Sequence, residues 1–459
     1  MNVGTDPAPV PRGEALFGAV LFILALAPRL WVALAWAGEP VWDGHYYDFG
    51  ARRIAEGLGY SDDRSIDGHL VWHPWCHYPV GYSAFLGAFY RALGSGHSVA
   101  AVANALVGAA LAVVTWLLAR HALRRTRARA AGLIVAFHPG LILQAALVMS
   151  EPLAALLTLM AFVFAVHDRR PRRGLVAGAL ALGVAALVRP QALLCAPFFA
   201  CLVERRARAI AIVAACGLAL VPVLPWTARN CRVMDGCALV STNAGWNLAI
   251  GAFPRATGRF ETLRASDGCR DVTGQVQQDR CWLEYGLQQI AARPWHWLSL
   301  IPAKLGYTFD HESFAVEYLH EARPEAWPEE RRTRARETTT LAHRLLLAAA
   351  ALGGVAFPLG AKARIARAQG AMLVVAAVLG TMALTTVSPT FWPLAVFAAV
   401  VPWLPLPGRP PSSQAILLAS ALLATTIVTH AVFFGEDRYH VVVTPVLALM
   451  AAAALRRPA

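Results

Sequence analysis

Charged residues are scarce in this sequence of 459 residues. Aspartate, glutamate, lysine and arginine together make up 15% of it, whereas a soluble domain typically carries about 25%. No long polar block separates the apolar ones, so a second, soluble domain has no stretch in which to fold. The scarcity of charge excludes a string of soluble domains and predicts one membrane-embedded domain over residues 1–459.

Two further features are missing from the sequence, namely an internal repeat and a cleavable signal peptide. No internal repeat is evident, and inverted repeats are the usual mark of a secondary transporter. The first apolar run, 15–37, is longer than the apolar part of a signal peptide, and no Ala-x-Ala-like cleavage site follows it before Glu39. We therefore expect this run to be a retained first membrane span.

Acidic residues number 28 against 41 basic residues, which gives a formal net charge of +13. A basic chain can bind nucleic acid. Here, however, the basic residues form short clusters between apolar blocks, which is the positive-inside pattern of membrane proteins. The sequence therefore predicts a membrane lipid environment and no nucleic-acid partner.

Apolar blocks of near-spanning length predict an all-α polytopic membrane protein with about twelve (11–13) transmembrane helices. The blocks lie at 15–37, 98–119, 130–148, 152–167, 174–188, 191–203, 209–227, 341–360, 370–388, 390–404, 414–434 and 440–455. Prolines interrupt those within 130–204, and a kinked span is tolerated inside a bundle.

Basic clusters follow every second span, at 120–129, 169–173, 205–208 and 362–367, and again at 456–457. Because cytoplasmic connections carry the excess of arginine and lysine, both termini are predicted to be cytoplasmic. The long connections 38–97 and 228–340 are then extracytoplasmic and carry interfacial helices, and 341–459 forms the C-terminal transmembrane helices. High alanine, arginine and glycine usage suggests a GC-rich bacterial gene, so we expect the membrane to be the bacterial inner membrane.

Four cysteines lie in the second long connection, at positions 231, 237, 269 and 281. Pairing of Cys231 with Cys237 and of Cys269 with Cys281 suits an oxidising compartment. Four cysteines allow three connectivities, so the other pairings and free thiols stay open.

Asp43 follows the first predicted span by only a few residues, so it lies near the membrane surface, where a lipid phosphate would sit. Aromatic and polar side chains surround it in sequence and suit a sugar site: His45, Tyr46, Tyr47, Tyr78 and Tyr82. The alternative is an ordinary solvated carboxylate.

Arg189, Arg229 and Arg438 fall at the outer ends of predicted spans. Charges at such depths are costly and often functional; the alternative is an arginine that extends to the interface. Glu151 begins a span beside Pro152 and is either a functional acid or a carboxylate facing the helix dipole.

Histidines recur at every fourth position, at 69, 73 and 77. On a helix they would share a face and could bind a divalent metal, with His73 and His77 as the candidate ligands. Pro74 and Pro79 interrupt a regular helix here, so the alternative is a set of pH-sensitive surface groups. The sequence requires no cofactor.

Several motifs resemble, in order, those of the GT-C glycosyltransferases, nearest the protein O-mannosyltransferase and lipid A aminoarabinose transferase branch. They are Asp43-x-x-Tyr46-Tyr47, Tyr78-Pro-x-Gly-Tyr82, Ser150-Glu151-x-Leu153, Arg189-Pro190, Pro225-Trp226-x-x-Arg229-Asn230, Thr242-Asn243-x-Gly-x-Asn247-Leu248 and Glu436-x-Arg438-Tyr439. One departure stands out, because Gly44 occupies the place where many relatives carry a second acid.

The resemblance implies an inverting transfer of a sugar from a polyprenyl-phosphate donor to an acceptor glycan, lipid or protein. It implies that Asp43 is the base, with Glu151 as the other carboxylate, and that Arg189, Arg229 and Arg438 bind the donor phosphate. It further implies substrate contacts from Asn243, Asn247 and Tyr439. Two alternatives remain: a transporter or flippase of a lipid-linked envelope precursor, and a membrane scaffold without catalysis.

Overall fold

The structure is a computed structural model, and it describes residues 12–66, 69–168, 170–355, 390–404 and 412–454. The predicted span at 370–388 lies outside the described residues. The described residues are mainly helical, and the two-stranded hairpin is the only sheet among them.

The described residues of the N-terminal half form eight α-helices and the hairpin. The helices are α1 (Arg12–Trp36), α2 (Asp43–Ala55), α3 (Val80–Leu93), α4 (His97–Arg120), α5 (Arg125–Phe137), α6 (Pro139–Leu143), α7 (Glu151–His167) and α8 (Pro171–Val188). The strands are β1 (Ser61–Ile66) and β2 (His69–Pro74). Short 3₁₀ helices span Gln144–Ala146, Pro190–Leu202 and Arg205–Ala207.

The C-terminal half continues the helical pattern. Its α-helices are α9 (Arg208–Leu220), α10 (Leu224–Val233), α11 (Ala244–Ala252), α12 (Gln275–Ala292), α13 (Pro294–Ser299), α14 (Ile301–Phe309), α15 (Phe314–Ala322), α16 (Glu329–Val355), α17 (Trp392–Val400), α18 (Gln414–Val432) and α19 (Thr444–Ala454). Its 3₁₀ helices span Ala265–Asp267, Cys269–Asp271, Pro324–Ala326, Val401–Trp403 and Asp437–Val442, of which the last is called the 437–442 segment below.

Four of the described helices, α1, α4, α8 and α18, are long and apolar enough to cross a membrane. Two bent pairs, one over 125–146 and one over 205–233, bring the number to six if each pair is one span. Shorter apolar helices occupy 151–167, 190–202, 392–403 and 444–454, where the sequence predicts further spans. A multi-pass helical protein is thus supported, and the total of about twelve spans stays a prediction.

The bend between α5 and α6 has an identifiable cause. Pro139 disfavours a helical conformation at His138, which is extended at φ −65° and ψ 120° and ends α5. The freed carbonyls of Val135 and Ala136 accept hydrogen bonds from the guanidinium of Arg29 in α1, at 2.8 and 2.7 Å. The fully buried Arg29 therefore satisfies the backbone at the break and joins two spans.

The first long connection places a helix and a hairpin beside the bundle. The helix is α2, which begins at Asp43, in the connection where the sequence predicts interfacial helices. The histidine-bearing stretch is not helical, because β2 contains His73 and pairs antiparallel with β1. A helical histidine face is therefore wrong for this segment.

Two disulfides stabilise the second long connection. Cys231 bonds to Cys237, and Cys269 bonds to Cys281, so the favoured pairing is confirmed. Helix α16 begins at Glu329 and so extends the predicted span 341–360 well into this connection.

Candidate active site

A cavity of about 380 Å³ opens where the two long connections meet the ends of the apolar helices. Its polar lining residues come from distant parts of the sequence and include Asp43, Tyr78, Ser150, Arg189, Asn243 and Arg438. Its apolar lining residues include Leu194, Val240, Phe433 and Phe434. A pocket lined by both charged and apolar side chains suits a ligand that has a charged head and a hydrocarbon tail.

Asp43 is the first residue of α2, and its side chain is 24% exposed at the cavity. Its Oδ2 lies 2.5 Å from Nη1 of Arg438, and its Oδ1 accepts a hydrogen bond of 2.7 Å from the Tyr78 hydroxyl. Burial raises the pKa of Asp43, but Arg438 and Tyr78 outweigh burial and hold that pKa below its usual value. The carboxylate is therefore ionised at neutral pH.

The backbone around Asp43 is held in place by aromatic packing. Trp42 has a φ of 51°, in the left-handed region that a tryptophan seldom adopts. Its ring contacts Phe314 and Tyr318 of α15, with centroids 5.4 and 5.8 Å apart. The strained turn between α1 and α2 thus aims the first carboxylate of α2 into the cavity.

Close packing also explains why no second acid follows Asp43. A Cβ atom on Gly44 would overlap the Tyr318 hydroxyl and would lie 2.9 Å from the carbonyl oxygen of Val148. Any side chain here would displace α2 from its neighbours. The glycine at this position is therefore a packing requirement in this chain.

Glu151 and Arg189 form a buried ion pair beside the cavity. Glu151 begins α7 and is 1% exposed, and its Oε1 lies 2.6 Å from Nη1 of Arg189 at the end of α8. Arg189 lines the cavity, while Glu151 lies behind it and is not among the lining residues. The structure therefore places Glu151 where it can hold the arginine, rather than where it can touch a substrate.

Arg438 joins three carboxylates. Besides Asp43, its Nε lies 2.5 Å from Glu436 and 3.9 Å from Glu151. Burial raises the pKa of Glu436 to about 7; Arg438 opposes this rise, and the neighbouring carboxylate of Asp437 adds to it. The network can therefore take up or release one proton near neutral pH.

Most of the predicted substrate contacts do line the cavity. They are Tyr47, Tyr78, Asn243, Asn247 and Tyr439. Sequence reasoning missed His430, whose ring stacks on Tyr439 at 4.1 Å, and Trp246, which also lines the cavity. An ionisable residue near the end of the apolar run 414–434 was the available signal for His430.

Other predicted site residues are not brought to the cavity. Arg229 donates hydrogen bonds to the backbone carbonyls of Tyr60 and Trp75, at 2.6 and 3.1 Å, so it anchors the base of the hairpin. Its assignment to the donor phosphate is not supported. Tyr82 is fully buried and donates to Asn104.

His45 and Tyr46 face solvent outside the cavity lining. Tyr46 stacks on Tyr78 with centroids 5.6 Å apart. These two residues therefore form an aromatic rim next to Tyr78, and neither of them lines the cavity itself.

The two predicted metal ligands, His73 and His77, have different surroundings. His73 bonds to Asp62 across the hairpin, with Nδ1 2.7 Å from Oδ1. His77 lines the cavity, and burial lowers its pKa while Asp43 opposes that shift. Among the described side chains, neither belongs to a cluster of three metal-binding groups, and the His69 side chain lies outside the described residues.

Part of the chain matches the model of a known family. Residues 77–228, about a third of the chain, match the model of the dolichyl-phosphate-mannose-protein mannosyltransferase family. The match contains Tyr78, Glu151 and Arg189, and it lies between Asp43 and Arg438 without reaching either. No curated protein matches the sequence.

Solved structures that align with most of this chain include two membrane transferases in complex with a lipid phosphate. The archaeal oligosaccharyltransferase AglB from Archaeoglobus fulgidus, in complex with an inhibitory peptide and a dolichol-phosphate, has a TM-score of 0.48 and 12% identity over 97% of this chain. The chain spans half of that protein. ArnT from Cupriavidus metallidurans, bound to undecaprenyl phosphate, has a TM-score of 0.38 and 16% identity over 96% of this chain and 77% of its own. The resemblance that the motifs predicted, to the GT-C glycosyltransferases, is confirmed by the family match over residues 77–228.

Proposed function

We propose that this protein is an inverting glycosyltransferase that moves a sugar from a polyprenyl-phosphate donor to an acceptor, with Asp43 as the general base. The observation that carries the proposal is the placement of Asp43 at one cavity with two arginines and several apolar side chains. The apolar side chains suit the polyprenyl chain, and the arginines suit its phosphate.

In this proposal Arg438 exchanges partners when the donor binds. Without donor, its guanidinium is held by the carboxylates of Asp43 and Glu436. A donor phosphate offers the same planar fork two oxygens and replaces Asp43 as its partner. The exchange frees the Asp43 carboxylate and raises its basicity, because its main cationic neighbour now faces the phosphate.

The transfer step then balances without a strong general acid. The acceptor oxygen bonds to the anomeric carbon on the face opposite the phosphate, and the proton of the acceptor hydroxyl passes to Asp43. The bond between the anomeric carbon and the phosphate oxygen breaks, and the lipid phosphate leaves as an anion. Arg438 and Arg189 stabilise the charge that develops on that leaving group.

The remaining cavity residues suit the sugar. Tyr47, Tyr78 and Tyr439 supply aromatic faces and hydroxyls, and Asn243 and Asn247 supply amides that can both donate and accept hydrogen bonds. A divalent metal is not required by this scheme. The proposal keeps the predicted extracytoplasmic placement of 38–97 and 228–340, the single domain over 1–459, and a bacterial inner membrane location.

The decisive test is Asp43→Asn in a deletion strain. The wild-type gene should restore the missing glycan modification in the deletion strain, as measured by mass spectrometry, and we expect this variant not to restore it. The purified variant should still bind undecaprenyl phosphate. The matched control is Asp48→Asn on the same helix, because Asp48 is buried against Tyr90 and Arg52 outside the cavity lining. Near-normal glycans with Asp43→Asn would exclude Asp43 as the base.

The alternative is a transporter or flippase of a lipid-linked envelope precursor, which the amphiphilic cavity also suits. It predicts that the deletion strain accumulates an unmodified precursor on the cytoplasmic side and that Asp43→Asn retains activity. Transfer of labelled sugar to an acceptor by purified protein in detergent, where no flux can occur, would favour the transferase.

A further inference from the structure

A second group of ionisable side chains lies away from the cavity, inside the bundle. It consists of Glu312 before α15, His343 in α16 and His440 in the 437–442 segment, which are 4%, 0% and 0% exposed. One potential ligand atom of each lies within 4.8 Å of those of the other two. Burial of three such groups is costly unless a cation or a proton compensates them.

Backbone contacts fix which nitrogen of each histidine faces the group. Nδ1 of His440 lies 2.7 Å from the Thr308 carbonyl oxygen, and Nε2 of His343 lies 2.9 Å from that of Phe309. Because a carbonyl only accepts, these nitrogens carry the protons. In the neutral rings, the lone pairs are then on Nε2 of His440 and Nδ1 of His343.

The inward-facing atoms lack hydrogen-bond partners among the described residues. They are Nε2 of His440, Nδ1 of His343 and Oε2 of Glu312, all buried. Nε2 of His440 lies 3.7 Å from Oε2 of Glu312, and Nε2 of His138 lies 3.9 Å from the same oxygen. These separations are too long for hydrogen bonds. Two ligands of one tetrahedral zinc ion lie about 3.4 Å apart, given metal–ligand distances of about 2.1 Å.

The surrounding residues hold the group in place. The Glu312 backbone N–H donates to the Thr340 hydroxyl at 3.1 Å, and the Glu312 carbonyl accepts a hydrogen bond from the Thr339 hydroxyl. Both threonines lie in α16. The Glu312 carboxylate occupies space where Gly140 has no side chain, since a Cβ there would overlap it. The rings of His343 and His440 stack with centroids 3.8 Å apart.

We propose that Glu312, His343 and His440 bind one divalent transition-metal ion of the zinc class, with His138 as a fourth donor. A ligating histidine usually donates its other N–H to a backbone carbonyl or a carboxylate. His343 and His440 each donate to a backbone carbonyl in this way. Imidazole-rich sets of this kind suit zinc, whereas calcium and magnesium favour oxygen ligands. With four protein ligands the site is closed, so its role is structural.

Such an ion would fix the segment that carries Arg438 into the cavity. His440 comes two residues after Arg438, and the Asp437 carboxylate accepts hydrogen bonds from the backbone N–H groups of Ser313 and Phe314. The metal and Asp437 together join the 437–442 segment to the start of α15. The ion therefore positions Arg438 without contacting a substrate, and its binding does not depend on the proposed function.

The test is metal analysis of the full-length protein, purified in detergent through a tag without histidines. We expect about one zinc per chain by mass spectrometry after growth with added zinc. His343→Ala and Glu312→Gln should weaken zinc binding at least about tenfold. The control variant, His320→Ala, should retain the ion, because His320 is not part of the group. Nδ1 of His320 contacts the Trp327 carbonyl instead.

A second measurement covers variants that fail to fold. Chelation should lower the thermal unfolding temperature of the wild-type protein, and zinc or cobalt, but not magnesium, should restore it. Cobalt should add the visible absorption bands of a four-coordinate site. Wild-type protein that holds no metal after growth with zinc, and that neither binds nor is stabilised by added zinc, would overturn the proposal and leave a proton shared between Glu312 and the histidines.

Discussion

Replacement of Arg438 with glutamine tests the charge network at the cavity most directly. Arg438→Gln leaves Asp43 and Glu436 without the cation that lies 2.5 Å from each. Removing one partner of a buried ion pair costs about 3–5 kcal/mol. Because the side chains of Asp43 and Glu436 are 24% and 27% exposed, water compensates part of this loss. We therefore expect a loss of about 2–3 kcal/mol in the free energy of unfolding.

A double substitution separates loss of the pair from general damage. Adding Asp43→Asn to Arg438→Gln removes the unpaired carboxylate as well as the arginine, so about 1–2 kcal/mol of stability should return. Affinity for undecaprenyl phosphate should not return, because the phosphate loses a charged donor in both variants. That loss corresponds to about 10- to 100-fold in the dissociation constant.

The assays are thermal unfolding in detergent and binding of undecaprenyl phosphate, with undecaprenol as the ligand that lacks the phosphate. Arg229→Gln is the matched control, because Arg229 contacts backbone carbonyls and not the cavity. The reasoning is refuted if Arg438→Gln binds undecaprenyl phosphate as the wild type does. It is also refuted if the double variant is as unstable as the sum of the two single variants.

Three further predictions follow from the same contacts. Ionised Glu436 competes with a phosphate for Arg438, and burial raises the pKa of Glu436 to about 7. Undecaprenyl phosphate should therefore bind more tightly at about pH 6 than at about pH 8. Glu436→Gln should remove this pH dependence, and a variant that keeps the wild-type pH dependence would contradict the prediction. Gly44→Ala should displace α2 from Tyr318, which should lower the free energy of unfolding by about 1–3 kcal/mol and impair sugar transfer. Thermal unfolding and glycan analysis measure the two effects. A stable, fully active variant would contradict the prediction, because it would show that α2 and Tyr318 can separate without cost. Arg229→Ala should lower stability by about 1–3 kcal/mol, because the Trp75 carbonyl loses its guanidinium donor while the Tyr60 carbonyl keeps only the Trp75 N–H. Lipid-phosphate affinity should stay unchanged, and weaker affinity with intact stability would return Arg229 to the phosphate site.

Sequence reasoning located Asp43 and Arg438 because each follows or precedes an apolar block closely, where a charge is costly. It could not show that they touch, since they are 395 positions apart in the chain and meet only in the folded bundle. The same reasoning placed Arg229 at the phosphate, because a position at a span end does not specify the direction of a long side chain. Its direction depends on the hairpin carbonyls that accept its hydrogen bonds.

The metal prediction shows the same limit. A spacing of four residues places histidines on one face only if the segment is helical, and pairing with β1 made it a strand. The group that does converge takes Glu312, His343 and His440 from three separate parts of the chain. No local spacing links these residues, so the sequence pattern carried no signal for them.

The sequence by itself determined the apolar helices, the scarcity of polar chain between most of them and the acid that follows the first helix, because local composition decides what a bilayer accepts. It also indicated the cysteine pairs, which are close along the chain. Only the tertiary structure decided which carboxylate meets which arginine, why Gly44 excludes a second acid and which histidines face one another. These outcomes depend on close packing between distant segments, and close packing is a property of the folded chain.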